Sequence, residues 1–353
     1  MKQDVLDAIA LNPPRKIPHK ESLNHPGWIE KHSGMDVYSH YEDAYLITIK
    51  ACGIDFTGGI PHDSDARRPP ADNGEIFEIG RKKYRTAPLG VSPTSACTDY
   101  GFYSVEDVLA YDPERDDPLD TAELAAMYKG HLDRATSLLG DYGQWYELYY
   151  TTLFMAPLEK FSWELFLEAA MVEPERFDEI LDGFKRQSIQ HVEAWLTLGL
   201  DFMMVHDDIA LSTGPVFAPS WYDQYIFPRY VEIFAPLKAA GKKVIFTSDG
   251  NIDVFIDSLV DTGIDGFMME TPATNFDRLL QKCGSSKVLI GGIDTRILTF
   301  SSPEEVYRHT QEIITKALDA PGFFISSPGG LHGNIPMDNL EAYFSAIYKF
   351  GIR

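Results

Sequence analysis

Cysteine is scarce in this chain of 353 residues, which contains only Cys52, Cys97 and Cys283. They are widely separated and show neither a CxxC motif nor Cys/His ligand spacing. Neither a disulfide framework nor a thiolate zinc site is therefore expected. Long apolar runs are also missing, because no stretch approaches the roughly 18 apolar residues that span a bilayer. Met1 to Asp7 lack the apolar segment of a signal peptide, so we expect a soluble protein of the reducing cytoplasm.

Basic residues are also few in comparison with acidic residues. The chain has 31 lysines and arginines against 53 aspartates and glutamates, which gives a formal net charge of −22. That charge opposes binding to nucleic acid and to anionic membrane surfaces, and it disfavours polyanionic ligands. No GxGxxG motif follows a predicted strand and no GxSxG motif occurs. A dinucleotide-binding fold and a serine hydrolase therefore have no support.

Predicted helices and strands alternate regularly from Pro174 to the end of the chain. Short apolar runs bounded by turn residues predict strands that are buried on both faces, as in a parallel sheet. Five such runs lie at residues 201–206, 243–247, 266–269, 287–292 and 322–326. About three more are expected before them, the first near Lys16 to Glu21, which makes about eight. The sequence thus predicts an α/β fold, with a single (β/α)8 TIM-barrel domain over residues 1–353.

Residues 63–118 do not show the alternation of helices and strands that begins at Pro174. They are predicted to form an insertion on the barrel. Turn-forming dipeptides at Pro69-Pro70 and Asn73-Gly74 accompany alternating runs at residues 76–80 and 83–86. Such a pattern is typical of a β-hairpin. The barrel is therefore expected to carry a β-hairpin and helical embellishment in its N-terminal half.

Acids, hydroxyls and histidines follow the predicted strands at their carboxyl ends. In a parallel barrel these ends form one rim, where ligands bind and catalytic groups collect. The rim residues are His19, Glu21, His206, Asp207, Asp208, Thr247, Asp249, Glu270, Asp294 and the segment from Ser326 to His332. So many carboxylates repel one another unless protons or a cation neutralise them. The rim is therefore predicted to hold a metal ion or a cationic ligand, and carboxylates and imidazoles suit Zn²⁺.

The rim residues also have a purely structural interpretation. His206, Asp207 and Asp208 could cap the helix that follows them. Glu270 ends a strand in an apolar setting, where burial would raise its pKa for acid–base work. It is equally a candidate for accepting hydrogen bonds from backbone N–H groups. The aromatic residues at 142–157 are typical of a core, and they are also candidates for lining a site.

The C-terminal half, from about Leu198, carries motifs that resemble one known family. They are Asp207-Asp208 after a strand, Gly214-Pro215 with Ala218-Pro219, Pro228-Arg229-Tyr230, Asp249-Gly250-Asn251, Gly291-Gly-Ile-Asp294 and Gly330-Leu-His332. Together they resemble the uroporphyrinogen decarboxylase superfamily, which contains that decarboxylase and corrinoid-linked methyltransferases. The resemblance implies a (β/α)8 barrel, in agreement with the alternation of helices and strands.

Departures from the family's motifs point to one branch. The decarboxylase holds its acidic tetrapyrrole with arginines of an N-terminal loop, whereas this chain has no arginine between Arg15 and Arg67. The thiol-methylating branch binds zinc through an HxC pair and a cysteine in the last loop. Here Thr247-Ser-Asp249 replaces HxC, and the last loop has His332 and no cysteine. The Asp-Gly-Asn version of the motif resembles methyltransferases that take a methyl group from a methoxylated aromatic or a similar donor.

The resemblance implies a methyltransferase that moves a methyl group from a small donor, a methoxy-aromatic being favoured, to the Co(I) corrinoid of a partner protein. Catalytic roles are expected for His206, Asp207, Asp249 and Glu270. Substrate binding is expected for Glu21, Trp28, Trp145, Tyr149, Asp208 and Thr247. Zn²⁺ is the candidate metal, with Asp249 and His332 as its ligands. The expected partners are the corrinoid protein, the methyl donor and a second copy of the chain in a homodimer.

Two other functions stay open on the sequence. The same fold could serve a decarboxylase of a small acid, and a non-enzymatic subunit could use the rim merely to hold a ligand. Alanine at Asp249 separates these classes, because an enzyme would lose turnover by orders of magnitude while a scaffold would keep its partner affinity.

Overall fold

A closed ring of parallel segments lies at the centre of the molecule. The computed structural model describes residues 1–67, 76–87, 90–92 and 94–353. Six neighbouring strands run in parallel, in the order Phe323–Ser326, Val288–Gly292, Gly266–Met269, Lys243–Ser248, Phe202–His206 and Leu148–Tyr149.

The N-terminal part of the chain closes this ring. Strand Phe56–Thr57 pairs in parallel with Gln144–Trp145, which leads into Leu148–Tyr149. Lys20 forms a parallel bridge with the first of these strands, and His19 forms one with the last strand of the barrel. The ring thus begins near His19 and returns to it, which confirms the predicted (β/α)8 TIM barrel.

Helices surround the ring and connect its strands. They span Lys2–Ile9, Pro26–Ser33, Tyr41–Cys52, Asp63–Asp65, Val105–Ala110, Pro113–Asp116, Thr121–Leu139, Met155–Phe161, Trp163–Val172, Pro174–Leu196, Pro219–Tyr225, Phe227–Ala239, Ile256–Asp261, Phe276–Cys283, Thr295–Phe300, Pro303–Ala317 and Met337–Phe350. The helices Pro219–Tyr225 and Phe227–Ala239 are separate, and Pro228 lies in the first turn of the second helix, where its missing backbone N–H leaves no intrahelical hydrogen bond unmade. Within the described residues, no helix is long and apolar enough to cross a membrane.

The predicted β-hairpin is present in the N-terminal half. Strand Ile76–Ile79 pairs antiparallel with Lys82–Ala87, which pairs with a third strand, Thr94–Asp99. The turn dipeptides Pro69-Pro70 and Asn73-Gly74 lie outside the described residues. The boundaries of the insertion and the single-domain assignment stay predictions. Two further short pairs form between Leu23–Asn24 and Leu331–His332, and between Ala210–Leu211 and Gly214–Pro215.

Successive residues of each strand face opposite sides of the barrel wall, and this alternation produces two cores. The core inside the barrel includes Phe56, Tyr146, Phe202, Met204, Ile245, Met268, Ile290 and Phe324. The outer core, between strands and helices, includes Met203, Val205, Val244 and Phe246. Each fully buried side chain of this size contributes about 1.5–3 kcal/mol. The alternation therefore also decides which polar residues at the strand ends enter the mouth of the barrel.

Candidate active site

The strand Phe202–His206 sends two adjacent aspartates to opposite sides of the barrel wall. Phe202 and Met204 face the interior, and the buried His206 follows them there. Asp207 then faces outward and Asp208 turns back toward the mouth, since consecutive residues alternate. The run His206-Asp207-Asp208 is therefore divided between two places in the molecule.

His206, Asp208 and Asp249 form a compact polar group in the mouth. The Nε2 atom of His206 lies 3.1 Å from Oδ1 of Asp208, and the backbone N–H of Asp249 donates to the same oxygen at 2.7 Å. One imidazole nitrogen and one oxygen of each carboxylate lie within 4.8 Å of one another. Such a spacing fits three ligands of one divalent metal ion.

Burial and mutual charge set the protonation of this group. Burial opposes a charged imidazole, but the hydrogen bond and charge of Asp208, aided by Asp249, outweigh it and raise the pKa of His206. Burial also disfavours ionisation of Asp208, yet the bond from His206 lowers the pKa of that carboxyl. Burial and then the charge of Asp208 raise the pKa of Asp249. His206 and Asp249 therefore keep their protons more readily than an ordinary histidine and aspartate, whereas Asp208 loses its proton more readily.

Asp207 anchors a loop outside the mouth. Its fully buried carboxylate accepts the backbone N–H groups of residues 153–155 at 2.6 to 2.7 Å. The hydroxyl of Tyr230, on the outer helix Phe227–Ala239, donates to it at 2.7 Å. Four donors therefore occupy the acceptor sites of this carboxylate. The structure places Asp207 in a structural anchor, away from the mouth where a catalytic role was expected.

The anchored loop places Tyr150 against His206. Thr152 donates to the backbone oxygen of His206 through its N–H at 3.0 Å and its hydroxyl at 3.1 Å. Thr151 has a φ of 62°, a left-handed conformation that is unfavourable for a β-branched residue. The Tyr150 ring meets the imidazole edge-on, with 4.4 Å between ring centres, and is 52% exposed. Tyr150 was one of the aromatic residues at 142–157 that were candidates for lining a site, and its two-residue spacing from the inward-facing Leu148 is a signal that could have singled it out.

The first barrel segment repeats this division of polar side chains. Glu21 faces outward, where its buried carboxylate accepts the Ser327 N–H at 3.0 Å, the Ser327 hydroxyl at 2.7 Å and the Tyr343 hydroxyl. Glu21 therefore anchors the last rim loop. A role in substrate binding was expected for Glu21, and its carboxylate faces away from the mouth. Lys20, between His19 and Glu21, faces the interior and interacts electrostatically with Asp249. Lys20 was missed, and the period of two along the strand is the signal that could have found it.

Thr247, Glu270 and Ser326 complete the inner rim. Thr247 is aligned with His206 on the neighbouring strand. Its buried hydroxyl has no hydrogen-bond partner among the described residues, and neither has that of Ser326. Burial and then the charges of the nearby aspartates raise the pKa of Glu270. The inner rim therefore offers two hydroxyls without partners among the described residues and a carboxyl that keeps its proton more readily than an ordinary glutamate.

Three residues that were expected to contact substrate or metal lie elsewhere. Trp28 is buried in the outer core, and so is Tyr149, whose hydroxyl lies 3.0 Å from that of Ser188. Neither ring is available for stacking on a ligand in the mouth. His332 pairs with Asn24 at the rim and does not belong to the group of three metal-ligating side chains.

A cavity of about 470 Å³ lies between the barrel wall and the outer helix Thr121–Leu139. Its lining includes Gly58, Arg134, Trp145, Tyr146 and Leu148, and it does not include the three candidate metal ligands. A second cavity of about 350 Å³ shares Ser22 and Gly58 with it. Cavities of this size accept small organic molecules. Trp145 thus lies where a ligand could reach it, and its expected role in substrate binding stays a prediction.

Comparison with known sequences gives a family for the chain. Residues 160–350 match the family model of uroporphyrinogen decarboxylase (URO-D). A uroporphyrinogen decarboxylase of Coxiella burnetii is 25% identical over 186 residues, which are 51% of this chain and 49% of that protein. One of Shewanella piezotolerans is 20% identical over 193 residues, which are 53% and 52% of the two chains. The chain thus spans about half the length of the curated relatives it matches.

A solved structure shares the fold over nearly all of the chain. It is a methyltransferase from Methanosarcina mazei, with a TM-score of 0.63 and 14% sequence identity, and the match covers 99% of this chain and 98% of the other. At that identity the likeness shows the fold alone. The matched family model covers more than half of the chain, and the chain therefore belongs to the uroporphyrinogen decarboxylase family.

Proposed function

We propose that this protein is a methyltransferase that moves a methyl group from a small donor, in the favoured case a methoxylated aromatic, to the Co(I) corrinoid of a partner protein. The observation that carries the proposal is the group His206, Asp208 and Asp249 inside the mouth of a barrel of this family. The protein of the same fold from Methanosarcina mazei is a methyltransferase, which supports the reaction class.

The group of three fits a divalent metal ion such as Zn²⁺. Two carboxylates and one imidazole are suitable ligands, and three protein ligands leave a position open for a substrate. His206, Asp208 and Asp249 would hold the ion, in place of the pair Asp249 and His332 suggested by the sequence. A bound ion would act as a Lewis acid toward the oxygen of the donor.

The residues of the chain would hold the donor and neutralise its oxygen. In the transfer the donor's C–O bond breaks, its electron pair stays on the oxygen, and the methyl carbon bonds to the cobalt of the acceptor. Glu270, with its raised pKa, would supply a proton to that oxygen. Burial and the nearby aspartates raise the pKa of Tyr150 to about 12, so its hydroxyl stays protonated and can donate a hydrogen bond.

The wall of the larger cavity suits an aromatic donor. Trp145 and Tyr146 present flat apolar faces there, and Gly58 leaves room beside the Tyr146 ring. A side chain on Gly58 would come within 2.8 Å of that ring. Offset or edge-on contacts with such rings favour an aromatic ligand.

Metal analysis followed by a methyl-transfer assay tests the proposal. The purified protein is expected to bind about one metal ion per chain and to methylate reduced cobalamin from at least one donor in a panel of methoxylated aromatics and methylamines. Asp249→Ala should lose the metal and lower transfer on the order of 100-fold or more, since it removes a ligand. The control is Asp201→Ala. Asp201 is 82% exposed and immediately precedes strand Phe202–His206, at the end of the strand that lies away from the mouth. Transfer from no donor in the panel would count against the assignment.

A decarboxylase of a small acid is the second candidate function. The matched relatives from Coxiella burnetii and Shewanella piezotolerans are decarboxylases. Release of CO₂ from acids in the panel without methyl transfer would favour this candidate over the first.

A further inference from the structure

A further cavity, of about 410 Å³, lies outside the barrel wall beside the strand Leu148–Tyr149. Residues of the outer helices Thr121–Leu139 and Pro174–Leu196 also line it. We call it the tyrosine cavity, because its lining includes Tyr111, Tyr128, Tyr149 and Tyr150. A cavity of this size accepts a small organic molecule.

Three rings in the lining of the tyrosine cavity form a connected, uncharged group. The Tyr149 ring stacks on the imidazole of His191 with 4.4 Å between ring centres, and the Tyr128 hydroxyl lies 2.7 Å from Nδ1 of His191. Burial lowers the pKa of His191 to about 4, so this imidazole carries no charge near neutral pH. Burial also raises the pKa of the Tyr128 and Tyr149 hydroxyls. The rings therefore stay neutral, and the faces of the tyrosine rings carry a negative electrostatic potential.

Glu147 adds a carboxyl group to the same part of the cavity. Its side chain is 15% exposed and lies 3.2 Å from Nδ1 of His131, which is 51% exposed. Glu147 is close enough to the Tyr128 hydroxyl to contribute to the raised pKa of that group. Burial, partly offset by His131, raises the pKa of Glu147. A cation placed beside Glu147 would therefore favour its ionised form.

An ammonium group already lies over one of the tyrosine rings. Nζ of Lys160 is 5.0 Å from the centre of the Tyr111 ring and contacts the carboxylate of Asp117. Among the described residues that line the cavity, Lys160 is the one lysine or arginine. Asp117 balances its charge, which leaves Glu147 as the carboxylate able to pair with a cationic ligand.

We propose that the tyrosine cavity binds a small methylated ammonium compound, with the cation between the tyrosine rings and Glu147. The methyl groups of such a compound bury apolar surface against the rings, while ring faces and a carboxylate attract its charge. The net charge of −22 also draws cations toward the protein. The inference is independent of the proposed function, since the three candidate metal ligands do not line this cavity.

A matched pair of ligands tests the cation site. Isothermal titration calorimetry on the purified protein compares choline with 3,3-dimethylbutan-1-ol, in which a carbon atom replaces the charged nitrogen. The wild type should bind choline about 10-fold more tightly, as expected for a cation among aromatic rings. Glu147→Gln should lower the affinity for choline about 5- to 10-fold and leave that for the alcohol unchanged. The control Asp133→Asn removes a carboxylate that is 62% exposed and does not line the cavity, and it should keep the wild-type ratio.

A second variant should change the affinity in the opposite direction. Lys160→Met removes the resident ammonium, which uncovers the Tyr111 ring and leaves Asp117 without this cationic partner. The affinity for choline should therefore rise about threefold or more. Circular dichroism shows that each variant is folded.

Three results would overturn the cation site. They are equal affinities of the wild type for choline and the alcohol, an unchanged ratio in Glu147→Gln, and weaker choline binding by Lys160→Met. The titrations use neither a methyl donor nor a corrinoid, so a failure of methyl transfer would leave their outcome unaffected.

Discussion

Changing Asp207 to asparagine should destabilise the protein, and the same change at the adjacent Asp208 should not. Asp207 accepts three backbone N–H groups of residues 153–155 and the Tyr230 hydroxyl, all at 2.6 to 2.7 Å. Asparagine keeps one acceptor oxygen and turns an N–H₂ group toward the remaining donors. We expect about two of the four donors to be left without an acceptor.

The size of the effect follows from burial. Each buried donor left unsatisfied costs about 1–3 kcal/mol, so Asp207→Asn should lower the free energy of unfolding by about 2–6 kcal/mol. Asp208 is 27% exposed and faces the mouth, where solvent can satisfy the groups that lose a partner. Asp208→Asn should therefore change the free energy of unfolding by less than about 1 kcal/mol. It should instead weaken metal binding, because an amide is a poorer ligand than a carboxylate.

Urea unfolding followed by circular dichroism measures both variants, with metal content determined in parallel. Tyr230→Phe removes one of the four donors to Asp207 while keeping the ring, and it should cost about 1–3 kcal/mol. The anchor role would be refuted if Asp207→Asn unfolded like the wild type and yet abolished methyl transfer. A catalytic role for Asp207 would then be restored.

Two further predictions concern protonation and the last rim loop. As the pH is lowered, zinc affinity should begin to decrease at a higher pH than it does at an ordinary histidine site. The reason is that His206 and Asp249 both have raised pKa values and must be deprotonated to bind metal. Chelator competition between about pH 5 and 8 measures this, and an affinity independent of pH would contradict it. Tyr343→Phe removes a donor to a buried carboxylate and should speed hydrogen exchange at Ser327. Exchange equal to that of the control, the exposed Tyr348→Phe, would contradict the prediction.

The strands of the C-terminal half were predictable because they are buried on both faces. Such strands read as continuous apolar runs, and the strand Gly266–Met269 has the predicted limits. The N-terminal strands are different, since Phe56–Thr57 and Gln144–Trp145 are only two residues each. Two residues give no hydrophobic period. These segments are held in place by closure of the ring, which depends on the far end of the chain and has no local signal.

The sequence predicted that all of the site residues would lie together at the rim of the barrel. In the structure, side chains alternate along each strand, so some of these residues face the mouth and others face the outer side of the wall. Glu21, Asp207 and Tyr149 each lie on the outward side of the wall, whereas Lys20 and Tyr150 lie on the inward side next to them. The period of two could have made this division from the sequence. The exclusion of His332 from the metal-ligating group could not be foreseen in the same way. It depends on distances across the mouth, which the spacing of residues along the chain does not contain.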